Sequence, residues 1–279
     1  MRVLRPQRRP RNDGFSVGII GCGNMGSALA RGMVEARLLP AGRIIGYDAD
    51  AAKSRRLARA LKIKAARSSR EAAGCSVILL AVKPQQMGEV LSEIRPLLSR
   101  RPLLVSIAAG IRTGWIERRA GRGVPVVRVM PNTPALVKKG ISAIAVGRSA
   151  GARHRAVAER IFGSVGETVR VPERLMDAVT AVSGSGPAYF FYLMEQMAEA
   201  GTSLGLPAGT AKKLAAVTAR GAARLVTCGG KDPAAFRKRV TSKGGTTEAA
   251  FKVFERKGLG KILREGIRAA ARRAKELSG

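Results

Sequence analysis

Histidine is almost absent from this 279-residue chain: there is one, His154, flanked by Arg153 and Arg155. An imidazole acid–base pair or a His-built metal centre has almost nothing to draw on, and no metal ion is expected. Acidic residues are scarce too, 19 Asp and Glu against 51 Lys and Arg, a formal charge of +32. A field of that sign attracts nucleotides, acidic metabolites, nucleic acid and anionic lipid alike, and does not choose among them. Aromatics make up only 4%. The basic residues are dispersed over what read as exposed helix faces (Arg55, Arg56 and Arg59; Arg268, Arg272 and Arg273), with few rings between them for bases to stack on. A solvated basic surface fits better than a specific nucleic-acid site. No run of about 18 uninterrupted apolar residues occurs, which speaks against a membrane-spanning helix.

Cys22, Cys75 and Cys228 are odd in number, widely spaced and free of metal-like neighbours. They read as unpaired thiols of a cytoplasmic protein. No serine sits in a nucleophile elbow and no Gly-Lys-Ser/Thr phosphate loop is present, so hydrolysis and phosphoryl transfer lose support. The first residues carry Arg2, Arg5, Arg8, Arg9 and Arg11 with Pro6 and Pro10. That composition is too polar and proline-broken to fold alone, and 1–14 reads as a disordered basic tail without the period or serines of a transit peptide.

What the chain does hold begins at Val17-Gly18-Ile19-Ile20-Gly21-Cys22-Gly23-Asn24-Met25-Gly26. Gly21 permits a tight turn, Gly23 lets backbone N–H groups approach a pyrophosphate, and Gly26 lets the following helix pack on the strand. Met25, Ala28, Leu29, Gly32, Met33 and Ala36 continue at helical spacing. The expected ligand is a dinucleotide. Further strands are predicted at Ile44–Asp48, Val77–Val82, Leu103–Ile107, Val126–Met130 and Ser142–Val146, alternating with helical stretches. That order implies a doubly wound, mostly parallel α/β sheet over 15–172, with ligands at the carboxyl ends of its strands. Lys83-Pro84, Ala108-Ala109-Gly110 and Pro131-Asn132-Thr133-Pro134 fall at those ends and should line one crevice.

From 173 to 279 the pattern is helix upon helix. The first long helix follows Ser183-Gly184-Ser185-Gly186-Pro187 and is apolar nearly all round through Ala188–Met194. A domain of that size cannot cover such a helix on every side, so a dimer or larger assembly is expected. A second glycine-rich loop, Thr241-Ser242-Lys243-Gly244-Gly245-Thr246-Thr247, lies where another helix begins. Its N–H groups and hydroxyls can hold a substrate carboxylate, with Thr247 beside a ring nitrogen, or they can form an ordinary Ser/Thr helix cap. Physics alone leaves both open. With acid–base and nucleophilic arrangements missing, the remaining chemistry is a nicotinamide reaction, in which the protein supplies orientation, anion binding and one proton.

These motifs, in this order and spacing, resemble pyrroline-5-carboxylate reductase from Phe15 to Leu277. The resemblance rests on Gly21–Gly26, Ala81-Val82-Lys83-Pro84, Ala108–Gly110, Met130–Pro134, Ser183–Tyr189 and Thr241–Thr247. It implies a Rossmann domain followed by an all-α dimerisation domain, larger assemblies of dimers, and a substrate pocket formed partly between subunits. By the same resemblance Gly21, Cys22, Gly23, Asn24, Met25, Gly26, Ala81, Val82, Lys83, Pro84, Ala108, Ala109, Gly110 and Asn132 serve NADPH or NADH. Ser242, Gly244, Gly245, Thr246 and Thr247 face the substrate. The implied reaction is hydride transfer to (S)-1-pyrroline-5-carboxylate, giving L-proline, with Thr247 as the catalytic candidate and Lys83 positioning cofactor or backbone.

Three departures from the family pattern stand out. Lys243 replaces a usual Pro, Gly230-Lys231-Asp232-Pro233 lacks a carboxylate often found just before this Pro, and Ser68 stands where an Asn commonly touches cofactor. Asp48, about twenty residues after Gly26, would bond the ribose hydroxyls of NADH and repel a 2′-phosphate, while Lys53, Arg55 and Arg56 could compensate. NADH is favoured and both forms are kept. A β-hydroxyacid dehydrogenase would want a catalytic Lys between Leu175 and Phe190, and none is there.

Overall fold

The computed structural model describes residues 15–230 and 232–277, so the tail expected over 1–14 and Lys231 lie outside it. Its strands are β1 (Val17–Ile20), β2 (Ile44–Tyr47), β3 (Lys64–Ala65), β4 (Val77–Leu80), β5 (Leu103–Ser106), β6 (Val126–Met130), β7 (Gly140–Val146) and β8 (Gly166–Arg170). They form one sheet in the order β3-β2-β1-β4-β5-β6-β7-β8. Every neighbouring pair is parallel except β6 with β7. β1 lies between β2 and β4, with Val17 level with both Ile44 and Val77. Winding reverses there, the place where doubly wound sheets bind their ligands beyond the carboxyl ends of the strands.

Three predicted strands run one or two residues too far. β2 ends at Tyr47 rather than Asp48, β4 at Leu80 rather than Val82, and β5 at Ser106 rather than Ile107. The cause is visible at Ala81, whose N–H makes a last ladder bond to Ile20 O at 2.8 Å before the chain turns away. The apolar residues just beyond belong to the crevice loops. β7 instead begins two residues early, at Gly140, and β3 and β8 were not foreseen. β3 has only two residues, and β8 is an edge strand with charged Glu167 and Arg170, a composition that protects an edge and hides the strand.

The helices of the sheet region are α1 (Asn24–Glu35), α2 (Ala51–Leu61), α3 (Ser69–Ala73), α4 (Met87–Ile94), α5 (Thr113–Ala120) and α6 (Ala152–Gly163), followed by the single turn α7 (Met176–Val179). Strand alternation sends Val17 and Ile19 to one face, where they pack with Leu29, Met33 and Phe162. Ile20, Ile78 and Leu80 go to the other, with Met87, Leu91 and Ile94. Both faces of the sheet are therefore covered. Arg128, in β6, is buried with its guanidinium 3.6 Å from Glu173 and 4.0 Å from Asp177, and burial pulls its pKa down. His154 accepts a bond from Gly151 N at 3.1 Å and so caps the first turn of α6.

The remaining helices are α8 (Gly186–Ser203), α9 (Ala208–Gly229), α10 (Pro233–Arg239), α11 (Thr246–Arg256) and α12 (Leu259–Leu277). The described chain divides into two compact units, residues 15–184 with the end of α12 from Ala271, and residues 185–270. In the second unit α8 packs on α9 through the small residues Ala198, Ala211 and Ala215. Large side chains stay outside: Phe190, Phe191 and Tyr192 are each 60–63% exposed. Pro187 stands second in α8, just after Gly186.

Candidate active site

The turn from β1 to α1 divides its glycines by task. Gly21 has φ +104°, and a Cβ there would lie 2.4 Å from Ala81 O. At Gly26 a Cβ would come within 2.0 Å of Gly21 O, whereas at Gly23 it would meet nothing within 4 Å. Two glycines thus close the strand–helix packing and the third leaves open space in front of the helix. Gly23 is the N-cap and makes no side-chain cap bond, and the first bond inside α1 is Ser27 N to Gly23 O at 2.9 Å. The N–H groups of Asn24, Met25 and Gly26 have no acceptor within the helix, and no acid stands in the first turn. Three donors at the positive end of a twelve-residue helix, facing space that only a missing Cβ provides, fit a pyrophosphate.

Cys22 is buried beneath this turn. Its N–H donates to Asp48 Oδ2 at 2.8 Å and its Sγ lies 3.4 Å from Tyr47 O. Burial, then the nearby Asp48 charge, pushes the thiol up to about 12, so it stays neutral. Asp48 Oδ1 accepts from Asp50 N at 2.9 Å. The carboxylate therefore bridges the glycine turn and the start of α2, a link absent from the sequence reading.

The other predicted cofactor loops lie at the ends of β4, β5 and β6. Ala81 and Val82 are half-buried and Lys83 is exposed, its N–H bonded to Gln86 Oε1 at 3.4 Å. Ala108 N donates to Ser106 Oγ at 3.3 Å. Gly110 has φ +76°, and a Cβ there would lie 2.5 Å from Leu277 O, so the end of α12 closes on this loop. The loop leads into α5, whose first residue is fixed by Glu173, which accepts from Thr113 N at 2.7 Å and Thr113 Oγ1 at 2.6 Å. Asn132 Oδ1 accepts from Ile141 N at 2.9 Å and braces the start of β7, leaving its amide NH₂ for other partners. Ser68 caps α3 by accepting from Glu71 N at 3.2 Å, a task that the Asn expected there performs equally well.

The second glycine turn lies in the helical unit. α11 begins at Thr246 with Gly245 as N-cap, again with no side-chain cap bond. The first internal bond is Ala249 N to Gly245 O at 3.1 Å, so the N–H groups of Thr246, Thr247 and Glu248 have no acceptor within the helix. Ser242, Thr246 and Thr247 hydroxyls make no bond to another described group, so none of them is spent as a cap. Glu248 Oε2 accepts from Gly244 N at 3.0 Å and from Lys252 Nζ at 3.1 Å, which lowers its pKa. Glu248 was not singled out from the sequence. The signal that could have marked it is an acid in the first turn of a helix, the end where negative charge is favoured.

Known proteins share the sequence and fold over nearly the whole chain. Residues 16–110 match the family model described as NADP oxidoreductase coenzyme F420-dependent, and 173–277 match pyrroline-5-carboxylate reductase dimerisation. A Pseudomonas aeruginosa pyrroline-5-carboxylate reductase is 41% identical over 264 residues, covering 94% of this chain and 96% of that one. The structure of a Coxiella burnetii pyrroline-5-carboxylate reductase superposes with TM-score 0.90 at 34% identity, over 96% of this chain and 100% of the other. A Plasmodium falciparum pyrroline carboxylate reductase with NADP bound gives 0.86 at 29%, over 96% and 99%. With a glycine-rich strand–helix turn in a doubly wound sheet, a helical unit that leaves apolar faces uncovered, and likeness at this level over nearly the whole chain, the chain belongs to the pyrroline-5-carboxylate reductase family.

Proposed function

We propose that this protein reduces (S)-1-pyrroline-5-carboxylate to L-proline at the expense of a reduced nicotinamide dinucleotide, completing proline synthesis in the cytoplasm. The observation that carries the substrate assignment is the second glycine turn, with three N–H groups and three hydroxyls unspent in its own helix. Residues 15–172 are the dinucleotide-binding domain and 173–279 the helical domain that pairs two chains, the dimers assembling further. No described helix is long and apolar enough to cross a membrane.

When bound, the nicotinamide supplies the hydride that C5 of the cyclic imine accepts. The N–H groups of Asn24, Met25 and Gly26 hold the pyrophosphate, and Ala81–Pro84 with Ala108–Gly110 and Asn132 shape the cofactor's seat. The Ser242 hydroxyl and the free N–H groups of Thr246, Thr247 and Glu248 hold the substrate carboxylate as a helix N-terminus holds any anion, while Gly244 and Gly245, whose own N–H groups are bonded to Glu248 Oε2 and Ser242 O, shape the turn around it. Lys243 adds a mobile cation at the rim. Thr247 donates to, or passes a proton to, the ring nitrogen, which makes C5 electrophilic. One hydride on C5 and one proton on nitrogen convert C=N to CH–NH.

Loss of reduced-nicotinamide absorbance with pyrroline-5-carboxylate tests the reading. Thr247→Ala should lower kcat about 100-fold, the lower end of what a positioned proton donor contributes, with cofactor affinity unchanged and partial rescue by Thr247→Ser. Equal loss of turnover and of cofactor binding would remove Thr247 from the chemistry.

A further inference from the structure

The β2–α2 turn carries two carboxylates where an adenosine ribose would lie beside the glycine turn. Asp48 directly follows β2 and is held at both oxygens, Oδ2 by Cys22 N at 2.8 Å and Oδ1 by Asp50 N at 2.9 Å. A carboxylate accepts about four bonds, so one position remains on each oxygen, enough for the two hydroxyls of a ribose. Asp50 closes the other side, accepting from Ala52 N at 3.0 Å as the cap of α2. It takes up the donor that a phosphate at this helix end would want first.

The cations that could rescue a phosphate are poorly placed for it. Lys53 is paired with Asp50 at 3.6 Å, both about half exposed. Arg55 and Arg56 are exposed and lack an acidic partner among the described residues, but they begin the second turn of α2, about 6 Å up the axis from its first residue. Cys22, the remaining ionisable neighbour of Asp48, is a neutral thiol and supplies no positive charge beside that carboxylate.

We infer that this chain selects NADH over NADPH, with Asp48 as the selecting residue and Asp50 as its support. The inference rests on the reading that the turn holds a reduced nicotinamide dinucleotide, and sets this chain apart from the Plasmodium relative that holds NADP. Its logic is local. The net charge of +32 draws the more anionic NADPH more strongly at long range. A preference for NADH must therefore come from short-range repulsion at Asp48 and Asp50 and from bonds to the ribose hydroxyls.

The test is equilibrium binding to the full chain, read from the fluorescence of NADH and NADPH at physiological ionic strength, without any turnover. NADH should bind at least about tenfold tighter. As competitors, 5′-AMP should displace NADH better than 2′,5′-ADP, which isolates the 2′-phosphate from the nicotinamide end. Asp48→Asn keeps an acceptor for Cys22 N and should bring the two dissociation constants within about threefold of each other. Asp50→Asn should move the ratio less. Tighter binding of NADPH by the unaltered chain would overturn the inference, and its loss in an Arg55→Ala/Arg56→Ala variant would assign the phosphate to those arginines. So would equal weakening of both cofactors by Asp48→Asn in protein that melts normally, since Asp48 would then only brace the turn. Failure of the reductase reading looks different: the binding preference would persist while neither cofactor supported turnover of pyrroline-5-carboxylate.

Discussion

The two glycine turns are built alike and set in unlike surroundings. Each ends in a helix with a glycine N-cap, no side-chain cap and three N–H groups without a partner in that helix. The first is wedged into a finished core, where a Cβ at Gly21 or Gly26 would strike backbone. The second sits on a unit in which α8 and α9 bury little beyond alanines while Phe190, Phe191 and Leu225 stay about 60% exposed. A cofactor seat can thus be complete within one chain. The turn proposed to seat the substrate lies on a unit whose apolar faces call for a second copy, in keeping with the dimerisation match over 173–277.

Disrupting that second copy should have the largest effect. Phe191 is exposed in the single chain, so Phe191→Asp leaves the fold of one copy untouched yet places an unpaired charge in the apolar contact, a cost of several kcal/mol. Sedimentation velocity should show monomer, and kcat/KM should fall by about 100-fold or more. Trp115, the chain's one tryptophan, lies in the sheet unit and should keep its emission spectrum. A variant that stays dimeric and active would break the contrast between the two units.

A pair of alanines sharpens the contrast from the other side. Gly21→Ala forces a side chain into φ +104° and against Ala81 O, and should cost about 2–3 kcal/mol of stability along with cofactor binding. Gly23→Ala meets nothing within 4 Å, so stability should stay within about 0.5 kcal/mol while cofactor affinity falls about tenfold, because the methyl occupies the ligand's approach. Urea unfolding and cofactor titration on the same two proteins separate the roles. Equal behaviour of the two variants would mean that the open space at Gly23 is not where the phosphates lie.

What was legible in the sequence was local. The spacing of Gly21, Gly23 and Gly26 sits within six residues and specifies its turn. The all-round apolar character of Ala188–Met194 foretold a helix that one chain leaves uncovered. Contacts between distant residues were not legible: Asp48 reaches Cys22 across 26 positions and Glu173 reaches Thr113 across 60, and neither leaves a pattern in its own neighbourhood. β8 was hidden because charges on an edge strand erase the apolar alternation. The strand ends were overrun because Ala81, Val82 and Ile107 are as apolar as the ladder they leave, although they serve the crevice.

Glu248 gives the smallest effect and tests the substrate turn most directly. Its carboxylate holds Gly244 N, and that bond and Lys252 favour the charged form, so its pKa is lowered. The tether is complete above the ordinary carboxylate range and is lost as pH falls through the lowered value, because protonation removes the acceptor charge. KM for pyrroline-5-carboxylate should therefore rise on the acid side, below the ordinary carboxylate range, in any pH range where the fold survives. Glu248→Gln should raise KM severalfold at neutral pH, flatten that acid rise, and leave cofactor affinity unchanged, since the turn of Gly21–Gly26 is braced independently. The core-set turn has its own carboxylate tether, Asp48 on Cys22 N at 2.8 Å, so it does not depend on Glu248. A Glu248→Gln enzyme with unaltered KM at every pH would mean that the free N–H groups at the start of α11 hold their places without it.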